Sequence, residues 1–530
     1  MHIKRVIIKN YRCVRESDVN LNPGMNIIVG DNETGKSTFL EAIHLALTGQ
    51  LYGRPATYEL HPFLFNVTAV SEYLTSLASS EPKALPEVLI ELYFDDDTSL
   101  AEWRGTNNSL GTDCPGVSLS IKFNEDYKAD YQRYVEKPAE VLAIPIEYYK
   151  IEWFGFQGEP IAPRNRPLRS TVVDASAIRN NSLANRYISE IIQEYLPSPD
   201  RVDLSLSYRA MRSRFLQDDR VKAVNATLAS KKIGMSDKKL SLSLDATSRT
   251  SWETGILPHL DDIPMPLVGK GEQNSVKIRL AIDSAAPTNV ILVEEPENHL
   301  SHGNLGRIIG AVQDVSQNRQ IVITSHSSFV INKLGIDAVL LFANSSFMRL
   351  TSLSSDTRDY FMKLPGYDTL RLILSRRCIL VEGPSDELIV QKAYYRKHAK
   401  MPQSDGVDVF SVRSLAFKRF LEIAKAVGTR VAVVTDNDGK PDRIKAKYVD
   451  YVGNANIQLC FSEDASLNTL EPHMVATNGR AILNKVFGTS FDTDDKLKDY
   501  MMDDKAAWAL KVFSSDEPVR FPAYINDAVQ

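Results

Sequence analysis

Short apolar runs and longer periodic segments interleave along almost the whole chain. Ile3–Ile8, Met25–Val29 and Val88–Phe94 have strand length and are rich in Val, Ile and Leu. Ser37–Leu47 instead puts Phe39, Leu40, Ile43 and Leu47 on one face, the spacing of an amphipathic helix. The character changes between about Ala175 and Asp245. Helix-like pieces there, Asn185–Tyr195 and Asp219–Lys231, are charged, poor in β-formers and separated by Pro197 and Pro199, which predicts a helical insertion. Strands resume at Asn289–Val293 and Arg319–Thr324. Beyond a weaker stretch, Ser352–Tyr367, come three near-continuous apolar runs, Cys378–Val381, Val407–Ser411 and Arg430–Thr435. Such runs predict parallel strands buried on both faces. The interleaving predicts an α/β fold: one α/β unit split by an insertion, then a second.

Composition narrows the class. At 530 residues, three or four domains are expected, and no disulfide or metal staple is needed to stabilise them. With 43% hydrophobic and 24% charged residues, a disordered or collagenous chain is excluded. The four cysteines, Cys13, Cys114, Cys378 and Cys460, show no Cys-x-x-Cys spacing, so a Cys-rich zinc site is not expected and a reducing compartment fits. No run reaches the roughly 18 apolar residues of a membrane span, and Met1–Arg5 leads directly into strand-like sequence; a soluble cytoplasmic protein without membrane partners is the expectation. The net charge of -5 excludes a uniformly basic coat. Residues 391–447, however, hold 13 Lys and Arg against 6 Asp and Glu, including Arg396-Lys397, Lys418-Arg419 and Arg443-Ile444-Lys445-Ala446-Lys447. That local excess suits either a phosphate-binding surface or solvated helix faces.

Gly30-Asp31-Asn32-Glu33-Thr34-Gly35-Lys36-Ser37 matches G-x-x-x-x-G-K-[ST] after an apolar strand and before a helix. Backbone N–H groups of such a loop face phosphate oxygens at a helix N-terminus. Lys36 would reach the β- and γ-phosphates and Ser37 would ligate Mg²⁺. Gly30, Asn32, Gly35, Lys36, Ser37 and Thr38 are therefore candidate nucleotide-binding residues. Beyond the insertion, Val290–Val293 ends in Glu294-Glu295. Glu294 would hold Mg²⁺ through water and Glu295 would polarise the attacking water. Glu294 stands where Asp is usual.

Gly269-Lys270-Gly271-Glu272-Gln273-Asn274-Ser275 precedes that strand, and Thr324-Ser325-His326-Ser327 follows the next. In this order the motifs resemble ABC-type ATPase heads, particularly those of SMC- and RecF-like DNA proteins. The resemblance implies that Gly271 and Glu272 cap the γ-phosphate across a dimer and that His326 senses it. Gln157 is one candidate for the glutamine-loop residue, which stays unassigned.

Cys378–Val381 runs into Glu382-Gly383-Pro384-Ser385-Asp386, and Val431–Thr435 into Asp436-Asn437-Asp438-Gly439. Each alone is an ordinary strand-end turn. At the carboxyl ends of parallel strands both acidic groups would converge, and such oxygen ligands suit Mg²⁺ or Mn²⁺. Together they resemble the Toprim fold of topoisomerases, primases and nucleases, which implies Glu382, Asp436 and Asp438 as metal ligands. A topoisomerase would also need a nucleophilic tyrosine, and none of the 21 tyrosines has a distinctive sequence context, so hydrolysis is preferred.

An ABC head, an insertion and a C-terminal Toprim unit in one chain resemble the OLD (overcoming lysogenization defect) family of ATP-dependent nucleases. The resemblance implies ATPase segments at 1–174 and 246–350, a dimerising insertion at 175–245 and a Toprim nuclease at 351–530. It further implies that Asp386 serves a second metal, that Glu471 is an added ligand or base, and that Lys505 stabilises the reacting phosphate. Implied cofactors are ATP and Mg²⁺ or Mn²⁺. Implied partners are DNA and further copies of the chain as a dimer or higher oligomer; Gabija-type members also work beside a UvrD-like helicase. The alternative is a RecF/SMC-like DNA-structural or loading ATPase with a non-catalytic Toprim fold.

Overall fold

Two strand patterns in the N-terminal half build two different sheets. The computed structural model describes residues 1–30, 34–79, 81–162, 165–174, 196–230, 240–243, 258–283, 288–343, 346–349, 353–363, 369–412 and 417–530. They fall into two units, Met1–Ser325 with Phe342–Phe347, and His326–Leu341 with Met348–Gln530. The ATPase–Toprim boundary expected at residue 350 therefore lies beyond the point where the second unit first takes up chain, at His326.

In the first unit, β1 (Ile3–Tyr11), β2 (Val14–Asn20), β4 (Val88–Phe94), β5 (Cys114–Phe123) and β6 (Tyr149–Gly155) pair antiparallel in the order β2-β1-β4-β5-β6. Alternation places Val117, Leu119 and Ile121 of β5 inside, with Ser118 and Ser120 less buried. In the second, six-stranded sheet, four neighbouring strands run parallel in the order β7 (Ser170–Asp174), β8 (Val290–Glu294), β9 (Gln320–Thr324) and β3 (Met25–Val29). Its strands carry continuous apolar runs, and chain from both sides of the 175–245 segment meets in it. Helix α1 (Lys36–Thr48) packs between the sheets, touching β4, β5, β7 and β8. Gln320, 1% exposed, ties β9 to β1: its amide accepts from Ile3 N and donates to Ile3 O, each at 2.8 Å.

Within the insertion, α3 (Asp219–Ser230) is helical as expected, and Asn185–Tyr195 lies outside the described residues; a further helix, α2 (Ser198–Gln217), starts across Pro199, which a first helical turn tolerates. Two further helices, α4 (Lys270–Asp283) and α5 (His302–Val315), flank β8 in sequence and pack together.

The second unit is built on a four-stranded parallel sheet in the order β11 (Val407–Ser411), β10 (Arg377–Val381), β12 (Arg430–Val434) and β13 (Ile457–Cys460). Because β11 and β12 lie on opposite sides of β10, the chain reverses direction across the sheet at β10, and loops diverge at its carboxyl end. Around it lie α6 (Pro384–His398), α7 (Phe417–Val427), α8 (Pro441–Lys447), α9 (Leu470–Phe487), α10 (Asp494–Asp503), α11 (Lys505–Ser514) and α12 (Ala523–Ala528). Ile379, Val381, Ile389, Ala432, Val434, Trp508 and Ile525 share the core beneath the site. Burying each of the Val and Ile side chains contributes on the order of 1.5–3 kcal/mol. No helix among the described residues is long and apolar enough to cross a membrane.

Candidate functional site

The loop after β3 turns into α1 through Gly35, whose φ of +114° is open to glycine and strained for other residues. A Cβ on Gly35 would lie 2.8 Å from Cys13 Sγ, and one on Gly30 would lie 2.6 Å from Phe342 O. Close approach therefore fixes both glycines, and backbone angle fixes Gly35 as well. Lys36 is buried, and its Nζ donates to Gly30 O at 3.0 Å. The Ser37 hydroxyl donates to the Glu294 carboxylate, joining the helix start to the end of β8. Thr38 Oγ1 lies 3.3 Å from Cys13 Sγ. Asn32 lies outside the described residues.

Glu295 adopts a positive φ of 43°, its backbone N–H donates to Thr324 O at 3.0 Å, and its carboxylate accepts from Asn298 Nδ2 at 2.7 Å. The glycine-rich segment forms the start of α4 against the same turn. Asn274 Nδ2 donates to Asn298 O at 3.0 Å, and a Cβ on Gly271 would lie 2.3 Å from His299 O. His326 follows β9 by two residues. Gln157 folds back on Gly155 just beyond β6.

In the second unit one cleft, with a cavity volume of about 260 Å³, is lined by Glu382, Asp386, Asp436, Glu471 and Lys505, among others. Each comes from a different point of the fold. Glu382 ends β10, Asp386 sits in the first turn of α6, and Asp436 follows β12 by one residue beyond Thr435. Glu471 opens α9, and Lys505 opens α11. The Thr435 hydroxyl and the Asp436 N–H, the latter at 3.0 Å, both donate to Glu382 Oε1. Asp386 Oδ2 accepts from Gly383 N at 3.1 Å. Glu471 is 1% exposed and holds Lys505 Nζ at 3.2 Å, with its other oxygen taking the Thr469 hydroxyl at 2.8 Å. Asp438 is exposed, has a positive φ of 49°, and is not among the cleft-lining residues. Asn437 between the two aspartates donates to Ser462 O and Asp464 O at 2.9 Å, which anchors the turn.

The electrostatics follow from crowding four acids round one lysine. Burial, then Glu382 and Glu471, push the Asp386 carboxyl up to about 7, against Gly383 N–H and Lys505. Burial, then Asp386, Glu382 and Glu471, push Asp436 up to about 8, with Lys505 opposing. Burial lowers Lys505, but Glu471, Asp436 and Asp386 more than offset it, and the ammonium is held above its ordinary value. The cluster is thus short of positive charge.

Hard oxygen donors in repulsion fit a divalent cation. Their arrangement is not closed around one: among the described residues no three His, Cys, Asp or Glu side chains form a ready ligand group. Protein donors occupy one oxygen of Glu382 and one of Asp386, and a carboxylate presents two oxygens to its ligands.

Thr435 and two tyrosines also belong to this site, and nothing in the sequence around the tyrosines singles them out. The Tyr448 hydroxyl is buried without a hydrogen-bond partner, and its phenol is raised by burial and by Glu382. Tyr524, on α12, packs edge-on to His473 at 5.2 Å and is raised by burial, then by Asp436, Asp386, Glu471 and Glu382. Both stay neutral phenols at ordinary pH. Thr435 was readable, as the hydroxyl between an apolar strand and its terminal Asp.

Comparison with known families places these two sites. Residues 5–134 match an AAA domain model, and residues 171–332 match an AAA domain described as a putative AbiEii toxin of a Type IV toxin–antitoxin system. Residues 373–438 match the Overcoming lysogenization defect protein-like TOPRIM domain, a span that contains Glu382, Asp386, Asp436 and Asp438. An OLD-like Toprim domain behind two AAA domain matches supports an OLD-family ATPase–Toprim protein. Its N-terminal part is a nucleotide-binding ATPase head and its C-terminal part a Toprim domain of nuclease type.

Among curated proteins, the chain is 21% identical over 355 residues to the DNA replication and repair protein RecF of Magnetococcus marinus, covering 58% of this chain and 88% of the relative. It is 34% identical over 77 residues to RecF of Salmonella newport, which covers 14% of this chain and 22% of that one. Among solved structures, an SMC head bound to the C-winged helix domain of ScpA aligns over 66% of this chain and 97% of its own, with 13% identity and a TM-score of 0.34. The C-terminal region of the Xanthomonas campestris pv. campestris OLD protein aligns over 30% of this chain and 92% of its own, with 18% identity and a TM-score of 0.24.

Proposed function

We propose that this chain is an ATP-binding, nucleotide-regulated, divalent-metal-dependent DNA endonuclease of anti-phage defence or DNA metabolism. The observation that supports the reading is the single cleft in which Glu382, Asp386, Asp436 and Glu471 meet Lys505. Glu382, Asp386 and Asp436 would hold Mg²⁺ or Mn²⁺; Asp438, exposed on the following turn, lies outside this cleft. Such ions, when bound, supply charge at the phosphate and make water a stronger nucleophile at neutral pH.

The chain's own residues supply the rest. Lys505 presents a fixed positive charge at the mouth of the cleft, 3.2 Å from a buried carboxylate that keeps it there. Charge aimed in advance at a phosphate that gains negative charge in the transition state lowers the barrier without reorganisation. Glu471, its second oxygen already held by Thr469, orients that lysine. Thr435 and the Asp436 N–H fix the rotamer of Glu382.

In the head, the hydrogen bond from Ser37 to Glu294 supports the reading of these two as the Mg–nucleotide pair, with Glu295, held by Asn298, as the residue that would polarise water. ATP binding would act by pairing heads, with Gly271 of one copy over the nucleotide of another and His326 reporting the γ-phosphate. The chain would work as a homodimer or higher oligomer, the 175–245 segment contributing to the contact, and with a helicase of UvrD type as the expected second protein.

The test is cleavage of plasmid and short duplex DNA with Mg²⁺ or Mn²⁺, with and without ATP, by wild type, Glu382→Ala and Lys36→Ala. Metal-dependent cutting that Glu382→Ala loses supports the nuclease. ATP sensitivity that survives Lys36→Ala removes the regulatory site from the head. No cutting under any condition, with ATP-dependent DNA binding retained, turns the reading to a RecF-like loading ATPase.

A further inference from the structure

The three basic clusters of residues 391–447 have different fates in the fold. Arg396 Nη2 donates to Glu517 O at 2.7 Å and Lys397 Nζ to Asn526 O at 3.5 Å, so this pair fastens the C-terminal segment to α6. Arg419 lies over the Tyr360 ring at 4.3 Å. The third cluster, on and just before α8, is exposed and follows the cleft-lining Asp436 in sequence. Lys440, Arg443, Lys445 and Lys447 are all exposed.

The helix period explains the display. Ile444 and Tyr448, four residues apart, are 7% and 0% exposed and form the inward face of α8. Lys440, Arg443 and Lys447 follow at i, i+3 and i+7 and share one outward flank. Lys445 projects from a different flank and pairs with Glu463 at 2.7 Å. Lys447 sits 5.1 Å from the Tyr448 ring, which steadies it without neutralising it. Among the described residues neither Lys440 nor Arg443 has an ion pair. The acids of this segment are Asp442 and Asp450, fewer than its cations.

One end of the row is tied to the cleft. Lys440 follows cleft-lining Asp436 by four residues, through the turn that Asn437 anchors. The other end closes on Tyr448, which is fully buried. The seven-residue spacing from Lys440 to Lys447 covers about 10 Å at helical rise. One strand of duplex DNA presents about three phosphates over that length.

We infer that the Lys440–Arg443–Lys447 row is the duplex-DNA backbone track that feeds the Toprim cleft, with each side chain engaging a phosphate beside the scissile one. The inference rests on the nuclease reading and adds to it the surface along which the substrate lies. Contacts of this kind set register and affinity without reading sequence.

The test uses full-length protein carrying Glu382→Ala, so that DNA survives, and a fluorescently labelled mixed-sequence duplex titrated at several salt concentrations between about 50 and 200 mM. The triple variant K440Q/R443Q/K447Q is compared with this parent. Lys400→Gln is the control, because it lies beyond the far end of α6 from Asp386, a 15-residue helix of about 22 Å. For every phosphate left without its cation, the slope of log K against log salt should fall by about 0.9 and affinity by up to about eightfold at 0.1 M salt.

The expected result is a slope lower by about 2 to 3 in the triple variant and unchanged in the control. The charge-keeping variant K440R/R443K/K447R should keep the parental slope. A parent that binds and a triple variant with unaltered slope and affinity overturn this inference alone. A parent that binds no duplex at any salt overturns the DNA reading with it. Equal losses for duplex RNA that the parent binds more tightly than DNA would overturn the assignment of DNA as the occupant.

Discussion

Asp436→Asn should make the metal-free protein more stable while it abolishes cleavage. The Asp436 carboxyl is pushed from an ordinary value near 3.8 up to about 8 by burial and by Asp386, Glu382 and Glu471. Between those two values the folded protein binds more protons at this site than the unfolded chain does. Unfolding free energy therefore falls as pH rises through that window, and the loss is complete above about 8. Each pKa unit corresponds to about 1.4 kcal/mol. The repulsion is shared with Asp386, itself pushed up to about 7, so it is counted once for the pair.

A gain of about 1–3 kcal/mol on neutralising Asp436 is the resulting expectation at pH 8. Asn keeps the volume and the backbone N–H that holds Glu382, so packing changes little. The assay is denaturant unfolding of wild type and variant in chelator at several pH values from 6 to 8.5. Wild type should lose stability across that range, and the variant should lose less. A variant less stable than wild type at pH 8, with a wild-type profile flat in pH, would refute the crowding argument.

Other perturbations have equally definite outcomes. Gly271→Ala gains about 1 kcal/mol of helix propensity but drives a Cβ to 2.3 Å from the His299 carbonyl. The backbone clash should win, lowering stability by about 1–3 kcal/mol in urea titration. Asn437→Ala removes hydrogen bonds to Ser462 O and Asp464 O and leaves those carbonyls without that donor. A loss of about 2–3 kcal/mol and a large fall in cleavage are expected together, because the turn carries Asp436. Tyr448→Phe removes a buried hydroxyl that has no partner. Stability should hold or rise by up to about 1 kcal/mol in thermal melts.

Apolar periodicity alone located the strands that carry both sites: Met25–Val29 and Val407–Ser411 end where the sequence reading put them, and β8, β10 and β12 end within a residue of it. A run of Val, Ile and Leu buried on both faces has few alternatives. The antiparallel sheet was harder to read. β2, with Arg15, Glu16, Ser17 and Asp18, has a mostly polar sequence and owes its strand state to β1. In the cleft, acids adjacent to strand ends were visible as motifs. Their partners were not, since Lys505 meets Glu471 only after α9 and α11 pack, and Tyr524 reaches the cluster from the last helix. Asp438 shows the converse: an Asp-x-Asp motif was legible, yet a left-handed turn sends the second aspartate to the surface. Local spacing reports such a turn poorly.

The central claim is that the carboxylate–lysine cleft cuts phosphodiester bonds. Its most direct test is supercoiled-plasmid cleavage by equal amounts of folded wild type and Glu382→Ala in Mn²⁺ or Mg²⁺. The account predicts nicked or linear product from wild type and none from the variant. Undiminished cutting by Glu382→Ala would contradict it.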